Sequence, residues 1–179
     1  MFRKITICFV ILIQFCNIKL QAMEYLYILN DKCINELYSL AQKTIDNEKI
    51  LILRDSRGLL LRFELEESLY EKYFLEDLLY KNITDIEKFL AKIKNPAIIE
   101  VHTQVRNSNI SKGLKNWEYS TVLANNLERL LLNRGSRIES SRIRSIGNGE
   151  FLPAKNTPNN GGKYLNRVDI IVLCNITGE

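Results

Sequence analysis

Ala97-Ile98-Ile99-Glu100-Val101-His102-Thr103-Gln104 is the stretch on which the fold turns. Ala97 to Val101 is a mostly apolar run directly after Asn95-Pro96, a pair that stops any helix before it, so it reads as a strand. Upstream, Ile83, Ile86, Phe89, Leu90 and Ile93 recur at three and four residues, the spacing of an amphipathic helix, preceded by an acidic and aromatic segment from Glu67 to Tyr80. Downstream lies a polar loop from Gln104 to Lys115, and then a helix with Asn116 in the cap position. Val122, Leu123, Leu127, Leu130 and Leu131 would form its buried stripe, and Gly135 would end it. Arg142 to Ile146 alternates as a strand, Pro153 to Gly162 is an irregular loop, and Val168 to Leu173 is a last strand.

Before this core, Leu59 to Leu65 reads as a strand and Ile50 to Leu53 as a short apolar run. Asp55-Ser56-Arg57-Gly58 turns between them, which predicts a β-hairpin. Met23 to Lys49 looks helical, with Leu26, Leu29, Ile34, Leu37, Leu40 and Ala41 near helical period. The element order predicts an α/β (α+β) sandwich. The expected domains are a leader over 1–22, an N-terminal helical arm and short strand over 23–54, and the main domain over 55–175.

The leader is basic at Arg3-Lys4, apolar from Ile5 to Phe15, and ends at Leu20-Gln21-Ala22, the pattern of a secretory signal peptide. An uncleaved anchor is the other reading. Cleavage would remove Arg3, Lys4 and Lys19 and take the formal charge from +4 to +1, leaving little electrostatic basis for a nucleic-acid partner. Cys8 and Cys16 would leave with it. Cys33 and Cys174 would remain, either bridged or as two thiols, and their separation matches no metal-ligand spacing.

Four short motifs stand in order: Val101-His102-Thr103-Gln104, Asn116-Trp117-Glu118-Tyr119-Ser120, Gly149-Glu150-Phe151-Leu152-Pro153 and Asn166-Arg167-Val168-Asp169-Ile170. Together, over about Leu59 to Leu173, they resemble the OmpA-like peptidoglycan-binding domain, the Asn-Trp-Glu element bringing them closest to the MotB type. The resemblance implies a β-α-β-α-β-β fold with a mixed sheet covered by helices, and recognition rather than catalysis. In the family, an Asp after His-Thr meets the ammonium of diaminopimelate in the peptidoglycan stem, and an Arg in the following helix meets its carboxylate through a fork. The resemblance places the ligand pocket here at Thr103, Gln104, Asn116, Ser120, Leu123 and Arg167. Gln104 stands where the family has Asp and Leu123 where it has Arg, so both charges are lost. Arg106, Lys112 and Lys115, in the loop, could act in their place or be ordinary solvated charges.

His102 is the single histidine, and with no nucleophile beside it in sequence it is expected to be structural. Trp117 opens an amphipathic helix, where packing in the core is expected and stacking on a sugar is the alternative. Tyr164 reads as a loop anchor or a pocket wall. No cofactor and no metal site are implied, and the chain is expected not to be an enzyme. The partners the resemblance admits are peptidoglycan, other envelope proteins and a second copy of the chain. The expected location is periplasmic, associated with the cell wall or outer membrane, or anchored in the inner membrane if the leader stays.

Overall fold

A computed structural model describes residues 30–65, 76–104, 115–133, 137–151 and 166–174. A first helix, α1, covers 30–44. It is followed by β1 (Leu51–Asp55), β2 (Gly58–Glu64), α2 (Glu76–Leu90), β3 (Ala97–His102), α3 (Asn116–Asn133), a 3-10 turn (Ser140–Arg142), β4 (Ile143–Gly149) and β5 (Arg167–Leu173). The strands form one sheet in the order β1-β2-β5-β3-β4. β3 and β4 run parallel because α3 carries the chain back between them; the other neighbours are antiparallel. The last strand, β5, thus becomes the central one, and Val168, Ile170, Ile171 and Val172 suit a position covered on both faces.

Strand alternation sorts the sheet into two unlike faces. Leu59, Leu61 and Phe63 of β2, Ala97, Ile99 and Val101 of β3, and Val168, Ile170 and Val172 of β5 point to one side. There they pack with Ile34, Leu37 and Ala41 of α1, with Ile83, Ile86, Phe89 and Leu90 of α2, and with Leu123, Ala124, Leu127 and Leu131 of α3. Each large apolar side chain buried this way contributes about 1.5–3 kcal/mol. The in-between residues, Arg62, Glu100, His102, Arg167 and Asp169, share the other face and are also buried.

The predicted fold class and the hairpin are present. Several boundaries differ. α1 ends at 44 rather than at Lys49, because the Asn47 side chain accepts the Lys49 N–H and its carbonyl accepts the Ile50 N–H, folding the chain into a turn. α2 begins at Glu76, inside the acidic and aromatic segment, and ends at Leu90. Lys92 and Ile93 then donate to carbonyls three residues back, tightening the chain ahead of Pro96. Arg142, whose burial lowers its pKa, donates to the carbonyls of Leu90 and Asn95 and so satisfies that helix end.

In α3 the buried stripe is Leu123, Leu127 and Leu131 with Tyr119 and Ala124, while Val122 is exposed. The reason is periodicity: Leu123, Leu127 and Leu131 are four apart, and Val122 lies about 100° around the helix from Leu123 and about 180° from Leu131, on the side away from Ala124. Cys33 on α1 and Cys174 after β5 form a disulfide with Cα atoms 5.9 Å apart. Among the described residues no helix is long and apolar enough to cross a membrane. The leader, most of the loop after Gln104 with Arg106 and Lys112, Gly135, the Pro153 to Gly162 loop and Tyr164 lie outside the described residues.

Candidate ligand-binding site

The second half of the sheet meets the start of α3 through two glycines. A methyl group at Gly147 would lie 2.2 Å from the Thr121 nitrogen, and one at Gly149, where φ is +50°, would lie 2.8 Å from the Trp117 nitrogen. Only glycine allows this approach, and at Gly149 only glycine holds that φ without strain. Hydrogen bonds then lock the junction. Thr103 donates its N–H to the Gly149 carbonyl at 3.1 Å and its hydroxyl to the Asn116 carbonyl at 3.0 Å. The Ser120 hydroxyl donates to the Trp117 carbonyl and accepts the Gly149 N–H, both at 2.9 Å.

Three of the six expected pocket residues, Thr103, Asn116 and Ser120, therefore meet at one point. Thr103 and Ser120 are buried there, with their hydroxyls engaged by backbone. Gln104 is exposed beside them, its N–H donating to the Asn166 side chain, which brings the first and fourth motifs together. Leu123 packs into the apolar core. Arg167 sits opposite His102 in the sheet, and its Nε donates to Asp169 at 2.9 Å.

The helix cap falls one residue earlier than predicted. The carbonyl of Lys115 accepts the Tyr119 N–H, and its own N–H donates to Glu118, the return half of a capping box. The cap is Lys115, and Asn116 is the first helical residue. Trp117 is 47% exposed rather than in the core, because the α3 flank that carries it runs against glycine backbone, which offers no cavity for a ring.

The other face carries a charge network absent from the motif reading. Arg62 grips Asp169 through two bonds of 2.6 and 2.8 Å, Arg167 adds a third, and Arg57 donates to Glu100 at 2.8 Å. The signal was one charged residue inside each apolar strand: Arg62, Glu100 and Asp169. Its pairing spans 107 positions, which no local pattern reveals. His102 Nε2 lies 3.6 Å from Asp169 and 3.8 Å from Glu100, and among the described residues neither ring nitrogen has a hydrogen-bond partner. Glu100, His102 and Asp169 are near enough to share a metal ion. The donor set fits one poorly, since three guanidiniums already balance the two carboxylates and a divalent cation would add buried positive charge beside them.

Burial pushes the Glu100 carboxyl up, but the side chain of His102 and the Arg57 guanidinium outweigh it and hold it below its ordinary value of 4.5. A depressed carboxylate stabilises the fold at neutral pH, and that contribution is lost as pH falls through the folded-state value. The midpoint of thermal unfolding, followed from neutral pH down through the carboxylate range, is expected to fall more steeply in the native protein than in Glu100→Gln. Parallel profiles would refute the assignment.

Solved structures share this fold. The cell wall anchor of the T6SS from Pseudomonas aeruginosa aligns over 78% of this chain and 97% of its own, with a TM-score of 0.59 and 17% identity. A MotB-like protein from Desulfovibrio vulgaris aligns over 84% and 94%, with a TM-score of 0.62 and 21% identity. The periplasmic domain of Helicobacter pylori MotB (residues 90–256) aligns over 73% and 83%, with a TM-score of 0.54 and 19% identity. The fold is OmpA-like. At these identities the OmpA-like likeness is one of architecture. No family model matches the sequence, and no curated protein matches it.

Proposed function

We propose that this chain is a non-catalytic cell-envelope protein whose OmpA-like domain associates with peptidoglycan, with weakened recognition of diaminopimelate. The observation that carries the reading is the junction of β3, β4 and α3, where Thr103, Asn116 and Ser120 converge with Gln104 exposed beside them. The names of the fold's neighbours, a cell wall anchor and MotB periplasmic domains, point the same way. The weakening follows from two residues. Gln104 brings no charge, and Leu123 lies in the apolar core, where it donates nothing. Two lost charge-assisted hydrogen bonds, each ~1.5–3 kcal/mol, lower affinity for the zwitterion by roughly two to four powers of ten.

The purified chain is expected to pellet with cell-wall sacculi at micromolar concentration, and free diaminopimelate is expected to compete poorly. Absence from the pellet would overturn wall association. Full displacement by diaminopimelate would overturn the weakening. Release of soluble fragments from the sacculi would contradict a non-catalytic role. A second reading, a protein-interaction module in an envelope assembly, draws on the burial of Leu123 and predicts that sacculi do not retain the chain while an envelope protein does.

A further inference from the structure

Trp117 and Phe151 are exposed at the same end of the molecule, 47% and 69% respectively. Gly149 lies against the start of α3, where a methyl group on it would meet the Trp117 backbone, and Phe151 lies two residues past Gly149, its N–H returning to the Asn148 carbonyl at 3.2 Å in a turn. We infer that these two side chains form an aromatic platform for the glycan strand of the cell wall, taking the apolar ring faces of N-acetylated hexoses. The inference rests on the wall-association reading and names a contact separate from the peptide-stem pocket.

Three observations support it. The Trp117 backbone is held fast. Its carbonyl accepts from Ser120 and Thr121 at 2.9 and 2.8 Å, and Gly149 comes so near that a methyl group there would lie 2.8 Å from the Trp117 nitrogen. A large ring on so fixed a base loses little freedom when it binds, the condition under which an exposed aromatic acts as an anchor. The second observation is area. At these exposures the two rings offer on the order of 250 Å² together. A stable protein interface takes about 800 Å² from each partner, so the patch suits one or two sugar rings. The third is charge: the neighbouring Lys115, Glu118 and Glu150 carry both signs, which favours an uncharged ligand face over a strongly ionic one.

Trp117 is the single tryptophan of the chain, so its fluorescence reports on this site directly. The test titrates the full, disulfide-intact chain with stem-free β-1,4-linked N-acetylglucosamine oligomers, in parallel with sedimentation on intact sacculi. The expected result is a saturable shift of tryptophan emission, with Phe151→Ala weakening the oligomer affinity by about tenfold or more. Trp117→Ala is expected to reduce retention on sacculi while its circular dichroism and unfolding midpoint match those of the native chain. If the chain pellets with sacculi but emission does not respond to the oligomers, the platform is wrong and wall association stands. If it neither pellets nor responds, both readings fall. If emission responds equally in the native chain and in Phe151→Ala, the two rings do not act together and the platform is likewise overturned. If emission responds to an envelope protein and not to the oligomers, the occupant is a protein and the proposal fails.

Discussion

Asp169→Ala is expected to cost the fold about 3–5 kcal/mol, a large share of the 5–15 kcal/mol that holds a domain of this size. The magnitude comes from two buried charges losing a carboxylate at once, more than from the bonds themselves. Arg62 and Arg167 both donate to Asp169, and its side chain and theirs are each 6% exposed or less. A guanidinium cannot shed its proton to escape, so two buried charges would each lose the Asp169 carboxylate. Replacing both members tells the two contributions apart. Arg62→Met with Asp169→Ala is expected to recover part of the loss, because a buried pair adds little over an apolar pair of similar volume. Urea unfolding of the native chain, the single variants and the double variant measures this directly. A loss under about 1 kcal/mol for Asp169→Ala would refute the account.

Cys33→Ser with Cys174→Ser is expected to cost about 2–5 kcal/mol. The bridge closes a loop of sequence separation 141, and the chain-entropy argument for so long a loop gives about 5 kcal/mol as the upper figure. In the native structure it pins α1 to the carboxyl end of the central strand, so α1 is the element expected to loosen. Protection of α1 amides from hydrogen exchange should fall more than that of β5. Thermal unfolding of the native chain in reductant should match that of the serine variant without it. An unchanged midpoint under full reduction would show that the bridge contributes nothing to stability.

Much of the architecture was legible because it is periodic. The alternating or continuous apolar runs of β2, β3 and β5, and the three-and-four spacing of α2 and α3, reflect burial on one side, and burial leaves a mark in local order. The Asp55 to Gly58 turn was legible for a related reason, since glycine and short polar side chains favour tight turns. The misses share a cause. Trp117 looked like a core residue because large aromatics usually are, and its exposure depends on Gly147 and Gly149, some 30 residues away. Lys115 caps α3 through its backbone N–H and carbonyl, and a lysine side chain is no sign of a cap. Arg62 and Asp169 lie 107 positions apart, and only the sheet sets them side by side.

By itself the sequence determined the elements and their order, because composition and period are properties of neighbours along the chain. The tertiary structure alone decided that β5 is central, that Arg62 meets Asp169, that Cys33 meets Cys174, and that Trp117 faces outward. Each of those depends on which distant segments touch, and contact between distant segments is settled only when the whole core closes.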